Sequence, residues 1–229
     1  MIRLAFLALL PVAAAAQEAE VFVPPEGCTG TLTVQSANCQ VSNIYVCDAD
    51  VAGHNWRMVF DREGALFLSK IDAETQWLES YDFDPGRRNV LRQPADDPAR
   101  LTELLETGTD SYDFVQSMGG DIVRIVGFDR LTGDDAVIDG EPLLGTEFSA
   151  RYEGFSGTYL RVEGREYVSV RHRRFIGGTI TRIIGDTRRD EDQSPVEFVY
   201  PGEPGFFTQT PLYGCAAQVA RFDVTGERE

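Results

Sequence analysis

Lysine is almost missing from this chain: of 21 basic residues only Lys70 is a lysine, and the rest are arginine. A Schiff base or a lysine nucleophile would have to rest on Lys70, which sits in an ordinary alternating strand pattern. Histidine is nearly as scarce, with only His54 and His172. His172 stands among Arg171, Arg173 and Arg174, whose charges depress its pKa and repel a cation. Neither histidine has a serine or cysteine nucleophile in a recognisable context, and Gly154-Phe155-Ser156-Gly157 is one residue short of a nucleophile elbow. No Cys-x-x-Cys spacing suggests zinc. Asp82-Phe83-Asp84-Pro85-Gly86 imitates the start of a calcium loop but lacks the later ligands and the closing Glu. Acidic residues are too abundant for any one carboxylate pair to be singled out. On this reading the chain has no catalytic residue, no metal and no cofactor.

Long hydrophobic runs are also absent. Leu4–Ala13 is the longest, well short of the roughly 20 residues that span a bilayer. With Arg3 before it and Ala14-Ala15-Ala16 after it, the pattern predicts a signal peptide (1–16) cleaved between Ala16 and Gln17, and a periplasmic or secreted mature chain. That mature chain carries 20 basic and 37 acidic residues, a net −17, which argues against nucleic acid as a partner.

Four cysteines in an exported chain predict two disulfides. If Ala37-Asn38 is the turn of a hairpin, residues whose numbers sum to 75 lie opposite each other. Cys28 then faces Cys47, which leaves Cys39 for Cys215.

What the sequence has in quantity is punctuated alternation. From Ser111 to Asp186, short apolar-alternating runs are separated by Gly119-Gly120-Asp121, Thr132-Gly133-Asp134, Asp139-Gly140 and Gly177-Gly178, pairs that favour tight hairpins. Leu143–Tyr152 is the clearest strand: Leu144, Thr146, Phe148, Ala150 and Tyr152 share one face, and Glu147, Ser149 and Arg151 the other. Earlier, Thr29–Gln35, Gln40–Val46, Asn55–Asp61, Ala65–Ile71 and Thr75–Asp82 read as strands, with Trp77 and Tyr81 inward. Asp96 or Asp97 followed by Pro98 predicts the start of the one helix, with Leu101, Leu104 and Leu105 as its apolar stripe and Gly108 as its end. Pro201–Phe207 predicts a fixed loop folded back onto the sheet. The expected fold is mainly β: a strongly curved antiparallel meander or open barrel with one short covering helix. One domain (28–221) follows an extended leader (17–27) and precedes a frayed tail (222–229).

One charge feature stands out. Nine arginines and four acids lie between Arg151 and Arg189. The plain reading is that they pair with the acidic remainder of the molecule. The functional one is an anion-binding strip of Arg151, Arg161, Arg171, Arg173 and Arg174, since guanidinium forks suit phosphate and carboxylate.

The set Asp129-Arg130-Leu131-Thr132-Gly133, Ile138-Asp139-Gly140, Thr146-Glu147-Phe148, Ser194-Pro195-Val196-Glu197-Phe198 and Pro201–Phe206 resembles a family of uncharacterised exported proteins of Gram-negative bacteria. The resemblance implies no activity and transfers no catalytic residue. More loosely, many strands with a covering helix behind a signal peptide resemble the half-barrel periplasmic carriers of lipoproteins and lipids. The expected function is a non-enzymatic envelope protein binding an apolar or anionic amphiphilic ligand, its partner a lipid or another envelope protein. The alternatives are a structural or protein-interaction module, and a hydrolase built around His54, His172 or a carboxylate pair.

Overall fold

The structure, a computed structural model, describes residues 20–155 and 157–216. The predicted signal peptide and the 222–229 tail lie outside the described residues. Among the described residues, fifteen strands form one antiparallel sheet. They are β1 (Cys28–Ser36), β2 (Gln40–Cys47), β3 (Asn55–Asp61), β4 (Gly64–Ile71), β5 (Trp77–Asp82), β6 (Arg87–Asp97), β7 (Thr109–Met118) and β8 (Asp121–Leu131). After them come β9 (Ala136–Ile138), β10 (Glu141–Gly154), β11 (Gly157–Ser169), β12 (Arg174–Ile176), β13 (Thr179–Ile184), β14 (Thr187–Asp192) and β15 (Pro195–Val199). Helix α1 (Leu101–Thr107) interrupts the meander.

The ladder runs β14-β13-β11-β10-β8-β7-β6-β5-β4-β3-β2-β1-β15 and is not closed, since its two edge strands do not pair with each other. They are nevertheless consecutive in the chain, joined by Gln193 and Ser194. Gln193 N–H donates to Gly178 O beside β13, and Ala37 N–H beside β1 donates to Ser194 O. A sheet whose opposite edges are two residues apart must be strongly curved, so it forms an open barrel.

Alternation along the strands then decides what lies inside. Phe148, Ala150 and Tyr152 of β10 line the interior with Tyr112 and Phe114 of β7 and Val162 of β11. In β3, however, Trp56, Met58 and Phe60 face outward. There they pack with Val41, Tyr45 and Phe22 under Phe206 and Phe207 of the C-terminal loop. Phe207 N–H donates to Thr33 Oγ1 (2.8 Å), and Asn43 Nδ2 donates to Thr208 O (2.8 Å). Gly30 allows this cover to lie close, because a Cβ there would meet the Phe207 ring at 2.6 Å. The polar side of β3, Arg57 with Val59, therefore faces the lumen.

Both disulfides form as expected, Cys28–Cys47 and Cys39–Cys215. The premise behind the pairing needs correcting, however. The hairpin loop is Ala37–Cys39, with Cys39 at φ 61°, and near it paired residues sum to 76, as in Ser36 opposite Gln40. A bulge between Gly30 and Leu32 restores the sum of 75 that sets Cys28 opposite Cys47.

The helix also begins later than its sequence signal. Asp97 is the last residue of β6, where it accepts a hydrogen bond from Ser111 Oγ (2.8 Å). Arg100 is the N-cap and offers no side-chain cap. Glu74 does that work from another segment, accepting from Thr102 N–H and from Thr102 Oγ1, both at 2.8 Å. Leu101 and Leu104 pack against Val168 with Leu131, Leu144 and Phe175 around them, so α1 covers one end of the barrel. Trp77 does turn toward the interior, against Tyr112 and Phe114, although it is as exposed as Tyr81. Tyr81 does not: it is absent from the interior lining and meets Phe83 edge-on.

Candidate functional site

The interior of the barrel is hollow. A cavity of about 600 Å³ runs from buried Thr75, Ala99 and Arg174 at the helix end to exposed Asp84 and Arg87 at the hairpin end, where it meets solvent. Its wall is apolar along β10 and the outer part of β11, through Phe148, Ala150, Tyr152, Leu160 and Val162, while β2, β5 and β6 add polar groups such as Gln40, Ser42, Glu79 and Asn89. Around the mouth stand exposed apolar side chains of successive hairpin tips: Phe83, Ile122, Phe155, Tyr159 and Ile184.

Four charged groups sit well inside. Arg57 comes from β3, Arg174 from β12, Asp129 from β8 and Glu166 from β11, and all four line the cavity. Register puts the two acids on strands flanking β10. Asp129 lies opposite Phe148, and Glu166 lies opposite Thr146. Arg174 is 3% exposed, and its Nη1 donates to Asn55 Oδ1. Arg57 is half-buried, with part of its surface bordering the cavity. Its guanidinium lies 5.7 Å from the centre of the Phe67 ring. Among the described residues, Nε of each arginine has no hydrogen-bond partner, and neither arginine lies within 4 Å of a carboxylate.

Burial dominates the titration of this group. It pushes Asp129 up to about 7, with the charge of Asp110 adding to the effect. Burial also raises Glu166 well above the usual carboxylate range; Asp129 adds to this, and Arg57 opposes it. Burial and the neighbouring Arg57 lower Arg174 to about 9, so it stays charged at neutral pH. Arg57 is lowered by burial and partly restored by Glu166. Near the helix, burial lifts Asp110 to about 6 although its carboxylate accepts Arg100 N–H (2.8 Å).

The structure does not bring together the five arginines singled out by sequence. Arg151 and Arg161 lie directly opposite each other on β10 and β11. Both are exposed, and each sits near an acid of its own strand, Glu153 at 3.7 Å and Glu163 at 3.3 Å. Arg171 lies over the Tyr200 ring (4.8 Å) and 3.7 Å from Glu141. Arg173 donates to Glu74 (3.0 Å) and to Ala73 O (3.0 Å). Of the five, only Arg174 enters the lumen. Arg57, its companion there, comes from the polar side of β3, opposite Trp56, Met58 and Phe60.

His172 belongs to a different cluster. Ser169 Oγ and Tyr200 OH donate to Glu141 (2.7 and 2.8 Å), Ser169 Oγ accepts His172 N–H (3.3 Å), and His172 Nε2 lies 3.8 Å from Glu141. The serine proton points to the carboxylate rather than to imidazole, and Ser169 is fully buried. This arrangement anchors the turn after β11 and offers no nucleophile to a substrate. Burial lowers the His172 pKa, with Arg171 and Arg174 helping and Glu141 opposing. Lys70 is held by Asp50, which also accepts from Trp56 Nε1 (2.8 Å).

No family model, curated protein or solved structure matches this chain.

Proposed function

We propose that this protein is an exported, non-enzymatic carrier that holds a small amphiphilic molecule in its lumen. The cavity carries the reading. At about 600 Å³ it falls within the roughly 300–1,000 Å³ of pockets that enclose small ligands. It is more apolar than polar, and α1 and the Asp72–Gln76 turn cover its deep end. Two disulfides fit an oxidising compartment outside the cytoplasm. The periplasm, reached after cleavage between Ala16 and Gln17, is the compartment we assign. The apolar rim of hairpin tips supports exchange of the ligand with a lipid surface. The same rim favours a second reading, a module that docks on another envelope protein.

A neutral environment-sensitive dye, N-phenyl-1-naphthylamine, tests the carrier reading. It should bind saturably with one site per chain. Val162→Trp, which fills the lumen midway along β11, should abolish binding while leaving the far-ultraviolet circular dichroism unchanged. Unsaturable binding, or binding unaffected by the substitution, would overturn the carrier reading in favour of the docking module.

A further inference from the structure

At the deep end of the lumen, two guanidinium groups from opposite walls sit together with unused donors. Arg174, almost fully buried, spends one N–H on Asn55 and has none on a carboxylate. Arg57 stands near enough for its charge to disfavour that of Arg174. Each guanidinium carries five N–H donors and no acceptor, and an uncompensated buried charge is costly. Such a pair is unfavourable in an empty pocket and favourable under an anion.

The neighbouring acids set how much negative charge the anion should carry. Asp129 and Glu166 share the enclosure, and two carboxyls so confined do not both ionise cheaply. With two arginines and one of the two carboxyls ionised, as at pH 8, these four groups carry a single net positive charge. A monoanion neutralises it, a dianion overshoots, and a cation is repelled. The carboxyl that stays protonated is a hydrogen-bond donor to the same head group. From there toward the mouth one wall is apolar, through Phe148, Val162, Ile180 and Leu160, while Glu79 and Asp82 of β5 and Arg182 of β13 add charge to the rest of the lining.

We propose that Arg57 and Arg174 seat the monoanionic carboxylate head of a single-chain amphiphile, with its tail running toward the hairpin mouth. This inference rests on the lumenal-carrier reading and adds the head-group class and the orientation. Displacement of bound N-phenyl-1-naphthylamine by decanoate, decanol and decyl phosphate separates the two. Decanoate should displace the dye at least about tenfold more effectively than decanol, as charge-assisted hydrogen bonds to arginine predict, and better than decyl phosphate at pH 8, where the latter is a dianion. Arg57→Gln and Arg174→Gln should each remove most of that preference while leaving decanol displacement unchanged. Equal displacement by decanoate and decanol, with the dye still binding, would overturn the head-group assignment and leave the carrier reading standing. Absence of dye binding would remove both. Should a variant fail to fold, the decanoate-to-decanol ratio of the natural chain decides alone. A ratio near one sinks the proposal.

Discussion

Asp129 shows what a charged lumen costs the fold. The residue is 6% exposed and burial raises its pKa from 3.8 to about 7. Between those values the folded chain keeps a proton that the unfolded chain releases, so stability falls as pH rises across the window and returns on acidification. Asp129→Asn removes the titration but not the hydrogen-bonding capacity. It should stabilise the protein at pH 8 by on the order of 2 kcal/mol, with little effect at pH 4, as thermal melts at the two pH values would show. An equal shift at both would mean that the buried charge is not the cause. The same residue marks a limit of sequence reading. Asp129 was visible only as part of Asp129-Arg130-Leu131-Thr132-Gly133, and nothing in one chain says that the inner wall of β8 borders a cavity. Arg57 was hidden for the converse reason. Trp56, Met58 and Phe60 form the apolar face of β3, and alternation alone points that face to the core. Here the two termini supply a second, outer cover, which leaves the polar face for the lumen.

At the scale of elements, legibility follows how much of each element's support is local. In β10 a long alternation meets two neighbouring strands, and its faces came out as expected. β6 and β14 were missed. β6 has only Val90 and Leu91 as a consecutive apolar pair and contains Pro94. β14, Thr187–Asp192, has no apolar residue at all. It is an edge strand held by side chains: Arg182 Nη1 donates to Glu191 (2.7 Å), and Thr181 Oγ1 donates to Asp190 (2.5 Å). Charged edges resist pairing with other chains, which explains the composition but makes it read as loop. The helix start moved because its cap comes from Glu74, 26 residues before Arg100, beyond the reach of a local signal. Burial tends to raise the Glu74 pKa, but the Thr102 hydrogen bonds and the charges of Arg173 and Arg100 outweigh it and hold the carboxyl below its usual value. The support it gives α1 is therefore complete above the ordinary carboxylate range and fades as pH falls through the lowered value. Glu74→Ala should cost about 1 kcal/mol, the scale of a lost N-cap, and the loss should shrink on acidification. Denaturant unfolding at pH 7 and pH 3 would check both.

Across the whole molecule, one bond ties the two ends. Cys39–Cys215 spans 176 residues, and chain-entropy reasoning assigns a loop of that size roughly 5 kcal/mol at most, with 2–5 kcal/mol usual for a native disulfide. The double substitution Cys39→Ser with Cys215→Ser should lower stability by about that much. The Cys28–Cys47 bond closes a much shorter loop of 19 residues, so Cys28→Ser with Cys47→Ser should cost less. Urea unfolding of the two variants side by side gives the order, and the reverse order would show that strain or local packing outweighs loop length.

The adjacency of the first and last strands has a consequence for how the chain comes into being. β1 pairs with β15, so in a chain still emerging the outer edge of β1 lacks its partner until residue 199 has appeared, although β2 already pairs with β3. Until then Thr33, Val34 and Gln35 present bare main-chain groups, an invitation to the wrong partner. Completion is a late, all-at-once event, and slow in the way that distant pairings are. A copy cut short anywhere before Pro195 would be not a smaller carrier but an unfinished one, recognisable to proteases by its open edge.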